Sequence, residues 1–302
     1  MGARILVTGA SGFLGARLVQ EALARGMDAA GASRKPFGRE GWEGVDWFLA
    51  DLSRQEEARE LIDRARPRWV IHAAAVSRIS DCDRDPERAV RVNRDGTAAL
   101  ARAAARRGAG FLFVSTDQVF HGESAPYGPD DRPSPVSLYG RTKAEAEEVL
   151  RDEGGDWRVV RVSLLYGLSP GRGNRGASEG LLDLLRRGER PLLFTDEFRT
   201  PLAVDQAARA LLDLLEAPPG RIYHLAGPER ISRYDFGVLT ARAAGLDPGL
   251  LRAGKRADRP EHAGRPADLS LDCRETEPFL REKLLSPREA LPGRVSLSGF
   301  LR

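Results

Sequence analysis

Tyr139 and Lys143 stand four residues apart in VSLYGRTKAEAEEVLRD, a spacing that places both side chains on one face of a helix. A lysine ammonium beside a tyrosine lowers the phenol pKa from about 10 toward neutrality and poises it as a general acid or base. The spacing alone says little, because such pairs arise by chance. Its weight comes from order along the chain. An apolar run, GFLFVST, ends in the hydroxyls of Ser115 and Thr116, and Asp117 and Gln118 follow at once. Hydroxyls closing a strand just before such a helix are a candidate floor for carbonyl chemistry.

A second constellation lies near the start of the sequence. TGASGFLG (Thr8–Gly15) follows the apolar run ARILV and precedes FLGARLVQEALARG, which has the pattern of an amphipathic helix. Gly9, Gly12 and Gly15 suit a tight turn, close approach of backbone N–H groups to a pyrophosphate, and close helix–strand packing. The helix N-terminus then faces the anion. Gly9, Ser11, Gly12, Phe13, Leu14 and Gly15 are therefore candidate dinucleotide contacts. The second strand ends in Ser33, Arg34 and Lys35 and carries no acid there. A guanidinium suits a ribose 2′-phosphate, whereas a carboxylate would repel it. NADP(H) is the expected cofactor, with NADH left open. Asp51 and Leu52 are expected to flank the adenine, and the small Ala73, Ala74 and Ala75 to let the nicotinamide ribose lie close.

These residues need a scaffold. The first half alternates apolar strand runs (ARILVTGA, MDAAGAS, VDWFLAD, RWVIHAAA, GFLFVST, WRVVRVSLLYG) with amphipathic segments, including a long helix over DPERAVRVNRDGTAALARAAARRG. Apolar strands in β–α alternation predict a parallel, doubly wound α/β sheet. HGESAPYGPDDRPSPVSL is too long for a simple connector and reads as a lid or binding segment. The domain expectation is a cofactor domain over 1–163 plus about 196–218. A smaller C-terminal α/β substrate lobe is expected over 164–195 and 219–302, entered through GLSPGRGNRG.

The 302 residues are 41% hydrophobic and 30% charged, an ordinary globular balance. Only four of the 47 basic residues are lysine, and the arginines are interleaved with 44 acids in no basic block. Nucleic-acid binding is not expected, while arginine suits diphosphate and carboxylate partners. No apolar run reaches the ~18–20 residues of a membrane span, and the strand beginning beside Met1 leaves no room for a leader. Cys82 and Cys273 form no ligand or disulfide pattern, so a reducing cytoplasm is the expectation. His72 reads as a core residue, His224 and His262 are isolated, and no metal-ligand spacing appears.

TGxxGxxG, a hydroxyl ending the fifth strand and YxxxK together resemble the extended short-chain dehydrogenase/reductases. STDQVFHG, PYGPDDRPSPVSLYGRTKAEAE, RVSLLYG and RPADLSLD are similar to dTDP-4-dehydrorhamnose reductases. The resemblance implies a Rossmann cofactor domain, a sugar-nucleotide lobe and the catalytic set Thr116, Tyr139 and Lys143. Tyr139 would protonate the keto oxygen as NADPH delivers hydride. Lys143 would lower the phenol pKa and bind the nicotinamide ribose, and Thr116 would hold the carbonyl, with Asp117 beside the sugar. It also implies that Asn93 buttresses the strand carrying the catalytic hydroxyl, beside the cofactor. Arg199 would meet the substrate diphosphate, and His121, in the long loop, is a further substrate candidate. Gln118 stands where these reductases usually have tyrosine and Leu164 where they often have tryptophan, which leaves the sugar open. A homodimer also remains open.

The resemblance extends to two rivals. The 4,6-dehydratases place Asp-Glu where this chain has Asp117-Gln118, and an amide neither takes up nor releases a proton near neutral pH. Epimerases retain NAD, for which Arg34 is the wrong residue. The CDRDP helix start, the arginine in FRTPLAV and the SLDCR segment are similar to the regulatory β subunit of methionine adenosyltransferase, an NADP-binding partner protein. It supports a binding reading without catalysis.

Overall fold

The computed structural model describes residues 4–37, 42, 44–169, 176–259 and 264–294. His262, most of GLSPGRGNRG and the first three residues lie outside them. The first six strands form where apolar runs leave no polar face: β1 (Ile5–Thr8), β2 (Ala29–Ser33), β3 (Asp46–Leu49), β4 (Trp69–His72), β5 (Gly110–Thr116) and β6 (Trp157–Val162). The helices between them are α1 (Phe13–Ala24), α2 (Gln55–Ala65), α3 (Ile79–Arg84), α4 (Pro86–Val90), α5 (Gly96–Arg106) and α6 (Leu138–Glu153). All ladders of the main sheet are parallel, and the fold is the expected doubly wound α/β architecture.

Beyond β6 come β7 (Leu165–Tyr166), α7 (Ala177–Arg186), β8 (Leu192–Phe194), β9 (Phe198–Arg199), β10 (Leu202–Ala203), α8 (Val204–Asp213) and β11 (Arg221–Leu225). They are followed by β12 (Ile231–Ser232), α9 (Arg233–Ala243), β13 (Arg252–Gly254) and α10 (Pro287–Arg294). The main sheet runs β11-β6-β5-β4-β1-β2-β3, while β10-β7, β12-β9 and β13-β8 form two-stranded ladders. β11 corrects the expected boundary. Residues 221–225 were assigned to the smaller lobe, yet they pair with β6 in parallel register and extend the cofactor sheet.

Two apolar cores cover the sheet faces. One packs α1 and α8 on β1 and β6, and the other packs α2 and α5 on β4 and β5. Separate clusters join α7, α9 and α10 in the C-terminal part. Two expected elements are interrupted. The long helix over residues 85–108 carries a π-turn at Arg91–Asp95, and the strand over RVSLLYG stops at Val162 before resuming as β7. Both interruptions lie next to the cleft described below. Among the described residues no helix is long and apolar enough to cross a membrane.

Candidate active site

An elongated cleft of ≈ 410 Å³ opens at the C-terminal ends of the parallel strands. Its floor is the glycine turn between β1 and α1. Gly9 has φ +67, and a Cβ there would meet Ala74 at 2.8 Å; a Cβ on Gly15 would stand 2.1 Å from the Gly9 carbonyl oxygen. The backbone thus comes as close as glycine permits. Gly12 caps α1 without a side-chain bond, and Phe13, Leu14, Gly15 and Ala16 supply no acid to its first turn. The N–H groups and positive dipole end therefore remain available to an anion.

Arg34 is exposed on the cleft wall with Asp51 and Leu52, and Ala73, Ala74 and Ala75 line the same space. Burial works against the Asp51 carboxylate, but bonds from Ser53 and the nearby Arg34 charge bring its pKa below the usual value. Ser33 lines the cleft with its hydroxyl already engaged, donating to the Lys35 carbonyl at 2.5 Å and accepting from Trp47 Nε1 at 3.0 Å. Of the pair at the end of β2, Arg34 is thus the side chain still able to meet a phosphate. The sequence reading missed Thr8, Arg78, Arg88 and Ser163, which also border the cleft. A lone arginine in a helical or loop segment gives no signal that could have found them.

Asn93 is corrected. It is fully buried and does not border the cleft. Its amide grips both backbone groups of Val76 (2.8 and 3.0 Å) and donates to Thr142 Oγ1 at 3.0 Å. It braces the exit of β4 and helix α6, not β5. The neighbouring His72 is a satisfied core residue, as expected, bonded to Thr8 at 2.6 Å and to Thr97 at 2.9 Å.

Thr116, Tyr139 and Lys143 all border the cleft. The Ser137 hydroxyl caps α6 by accepting from Gly140 N–H, which fixes Tyr139 in the first turn. Thr116 Oγ1 accepts from Gln118 N–H at 3.2 Å and lies within bonding reach of the phenol. The expected depression of the phenol pKa is absent. Burial pushes Tyr139 above its ordinary value, Asp117 adds to that, and the Thr116 bond opposes it. Lys143 explains why: its ammonium donates to the Val114 carbonyl at 2.7 Å and lies 3.8 Å from the Phe113 ring centre. Burial brings the amine down to about 7, against the pull of Glu147. The arrangement is therefore a protonated phenol at a hydroxyl-lined wall, with a titratable amine of the same helix bonded to the strand beneath.

A second cavity adjoins it, bordered by Gln118, Leu164, Leu192, Leu193, Phe194 and Glu197, with Arg199, Arg233, Arg259 and Arg265. Three of the expected substrate residues, Gln118, Leu164 and Arg199, thus meet here. Arg199 is no surface arginine. It is 5% exposed, with Nη2 at 3.2 Å from Glu197 and Nε at 3.9 Å from Asp117. Asp117, buried between the two cavities, has its carboxyl pushed up by burial, which Arg199, Thr116 and Ser163 oppose. Arg233 Nη1 is buried with no hydrogen-bond partner among the described residues. His121 falls outside both cavities, because Ser134 Oγ holds its Nδ1 at 2.7 Å. No cluster of three or more potential metal-ligating side chains occurs among the described residues.

The family model for the RmlD substrate binding domain matches residues 3–296. A curated relative from Haloferax volcanii, named "Probable low-salt glycan biosynthesis reductase", is 31% identical over 90% of both chains. Methionine adenosyltransferase 2 subunit beta of Danio rerio is 29% identical over 91% of this chain and 84% of its own. The crystal structure of a Bacillus anthracis dTDP-4-dehydrorhamnose reductase in complex with NADP superposes with a TM-score of 0.80. It does so at 22% identity over 96% of this chain and 98% of that one. With a glycine-turn cleft, a Tyr139–Lys143 helix and a match over almost its whole length, the chain belongs to the RmlD substrate-binding-domain family of sugar-nucleotide oxidoreductases.

Proposed function

We propose that the protein is an NADPH-dependent reductase of the 4-keto group of a nucleotide-linked 6-deoxy sugar, of the dTDP-4-dehydrorhamnose reductase type. One observation carries this reading. The cavity holding Thr116, Tyr139 and Lys143 and the cavity lined by arginines adjoin along Thr116-Asp117-Gln118. A carbonyl at Thr116 would thus have cofactor on one side and nucleotide on the other.

The free N-terminus of α1 would hold the cofactor diphosphate, and Arg34 its 2′-phosphate. When bound, NADPH supplies the hydride. Thr116 would donate a hydrogen bond to the keto oxygen, and Tyr139 would give that oxygen its proton. A phenol kept protonated by burial suits the direction of reduction. Lys143 as an ammonium would favour the resulting phenolate and meet the ribose hydroxyls. Arg199 and Arg233, one of whose nitrogens is unsatisfied, would face the substrate diphosphate. The amide of Gln118 supplies no acid or base for elimination.

The test is NADPH oxidation by purified protein given dTDP-4-keto-6-deoxy-mannose, then a panel of keto nucleotide sugars. Turnover supports the reading. NADPH binding without turnover on any of them would favour the second reading, a regulatory NADP-binding subunit. That alternative rests on the β-subunit relative and on the bond of Lys143 to Val114.

A further inference from the structure

Beneath the cleft, one carboxylate joins the helix carrying Tyr139 and Lys143 to three other elements. Glu147 is 1% exposed and lies one turn beyond Lys143 on α6. Its Oε1 accepts from the Ser115 hydroxyl at 2.5 Å, on the strand position before Thr116. Arg161, wholly buried on β6, grips both oxygens, with Nε at 3.2 Å from each and Nη2 at 2.8 Å from Oε2. The same guanidinium donates through Nη1 to the carbonyls of Pro129 and Asp131, at 3.2 and 3.4 Å. Those carbonyls belong to the segment running from Gln118 to Tyr139. His224 on β11 completes the frame, with Nε2 at 3.4 Å from Nη1 and Nδ1 at 3.1 Å from the Tyr127 carbonyl.

We infer that Glu147 is a positioning residue, one buried carboxylate that fixes Ser115 beside Thr116, holds the long loop through Arg161, and faces the Lys143 amine from one turn away. The inference rests on the proposed reductase reading for its kinetic consequence, though not for its binding consequence.

The buried Arg161 guanidinium already calls for a counter-charge here, and Lys143, one turn back on the same helix, gives that carboxylate a second cation. Few titratable groups face Lys143. On its own helix stand Tyr139 and Glu147. On β4, His72 is held neutral by burial, with Thr8 and Thr97 on its two nitrogens. On β5 it meets the Val114 carbonyl and the Phe113 ring. On β6, Arg161 lies on the other side of Glu147 and is occupied by it. Glu147 is thus the anion that favours the ammonium form of Lys143, in opposition to burial. Removing that charge should deprotonate Lys143 at a lower pH.

The experiment compares wild type, Glu147→Gln and Glu147→Asp. It measures NADPH affinity from about pH 5.5 to 9 by fluorescence titration, and turnover over the same range with the keto sugar. For Glu147→Gln, the pH at which affinity and kcat fall should move acid-ward by about one unit, near tenfold at fixed pH on the falling limb. Glu147→Asp, which keeps the charge, should restore the wild-type midpoint. A Glu147→Gln variant that loses thermal stability with an unmoved midpoint would overturn the inference, as would one identical to wild type. Should Glu147→Gln fail to fold, Glu147→Asp and Ser115→Ala decide. The first should keep the midpoint and the second should lower kcat several-fold at an unchanged midpoint. Wild-type turnover in Ser115→Ala, or a displaced midpoint in Glu147→Asp, would then refute it. Because NADPH affinity is read without substrate, absence of turnover in the wild type would count against the reductase reading alone.

Discussion

The Lys143 ammonium donates to the carbonyl oxygen of Val114 at 2.7 Å, so it is tied to the strand that ends in Thr116 and not to the phenol of Tyr139. The phenol is left to the Thr116 hydroxyl and to the raising effect of burial. Phenol and amine thus have separate hydrogen-bond partners, and each can be substituted alone.

Tyr139→Phe removes the hydroxyl proposed as proton donor while keeping the ring that borders the cleft. Turnover is expected to fall by about 10²–10⁴-fold, the usual contribution of a positioned acid, with NADPH affinity within about twofold of wild type. Turnover at the wild-type level would take tyrosine out of the mechanism.

Arg34→Asp places a carboxylate beside the expected 2′-phosphate. Loss of one charge-assisted hydrogen bond is worth about 2 kcal/mol, so NADPH should bind roughly thirtyfold more weakly and preference should move toward NADH. Isothermal titration with both cofactors measures this. Equal ratios before and after the change would show that another arginine reads the phosphate.

Arg199→Met strips the cation from between two buried acids, Asp117 and Glu197. Leaving buried charge uncompensated costs about 3–5 kcal/mol, and a clear fall in urea midpoint is expected. The KM for the nucleotide sugar should rise in the same variant. A stability matching wild type would mean that the two acids are uncharged in the folded chain.

Stability should also fall as pH drops from about 6.5 toward 3. Burial lowers both His72 and His224 to about 3, the Lys143 charge adding to it for the first and Arg161 for the second. Below 6.5 the unfolded chain takes up protons that the folded chain refuses. Each unit then costs about 1.4 kcal/mol per histidine. Thermal melts at successive pH values check the slope, and His224→Asn should flatten it. A slope unaffected by that change would take His224 out of the acid sensitivity and leave it to His72 and the carboxylates.

Much of this site was legible in the sequence. Gly9 and Gly15 could be read because a side chain at either would collide with backbone, and Gly12 because it completes their spacing. Thr116, Tyr139 and Lys143 could be read because strand ends and helix faces have fixed periods. The π-turn at Arg91–Asp95 could not, since a shift in backbone hydrogen bonding leaves the side-chain pattern almost unchanged. The partners of Asn93, Val76 and Thr142, are 17 and 49 residues away in sequence, so its place beside β4 and α6 leaves no local trace. β11 escaped because RIYHL is short and mixed in polarity, and only its partner β6 makes it a sheet strand. The direction of Lys143 is set by competition among a carbonyl, an aromatic face and a carboxylate, none of them adjacent in sequence. The Glu147–Arg161 pair did leave a trace: WRVVRV is too apolar for a surface strand, so Arg158 and Arg161 within it each needed a buried or bordering partner.

Thr116 borders the cleft that holds Tyr139 and Lys143, Gln118 borders the arginine-lined cavity, and the buried Asp117 stands between them in the chain. Such an arrangement would make the scaffold modular. On the proposed reading, exchanging Gln118 or Leu164 would retune which sugar is admitted without disturbing Thr116, Tyr139 or Lys143, whereas a change at Asp117 would be felt by both Thr116 and Arg199. On that reading, a change of substrate would need drift on one side of Asp117 only.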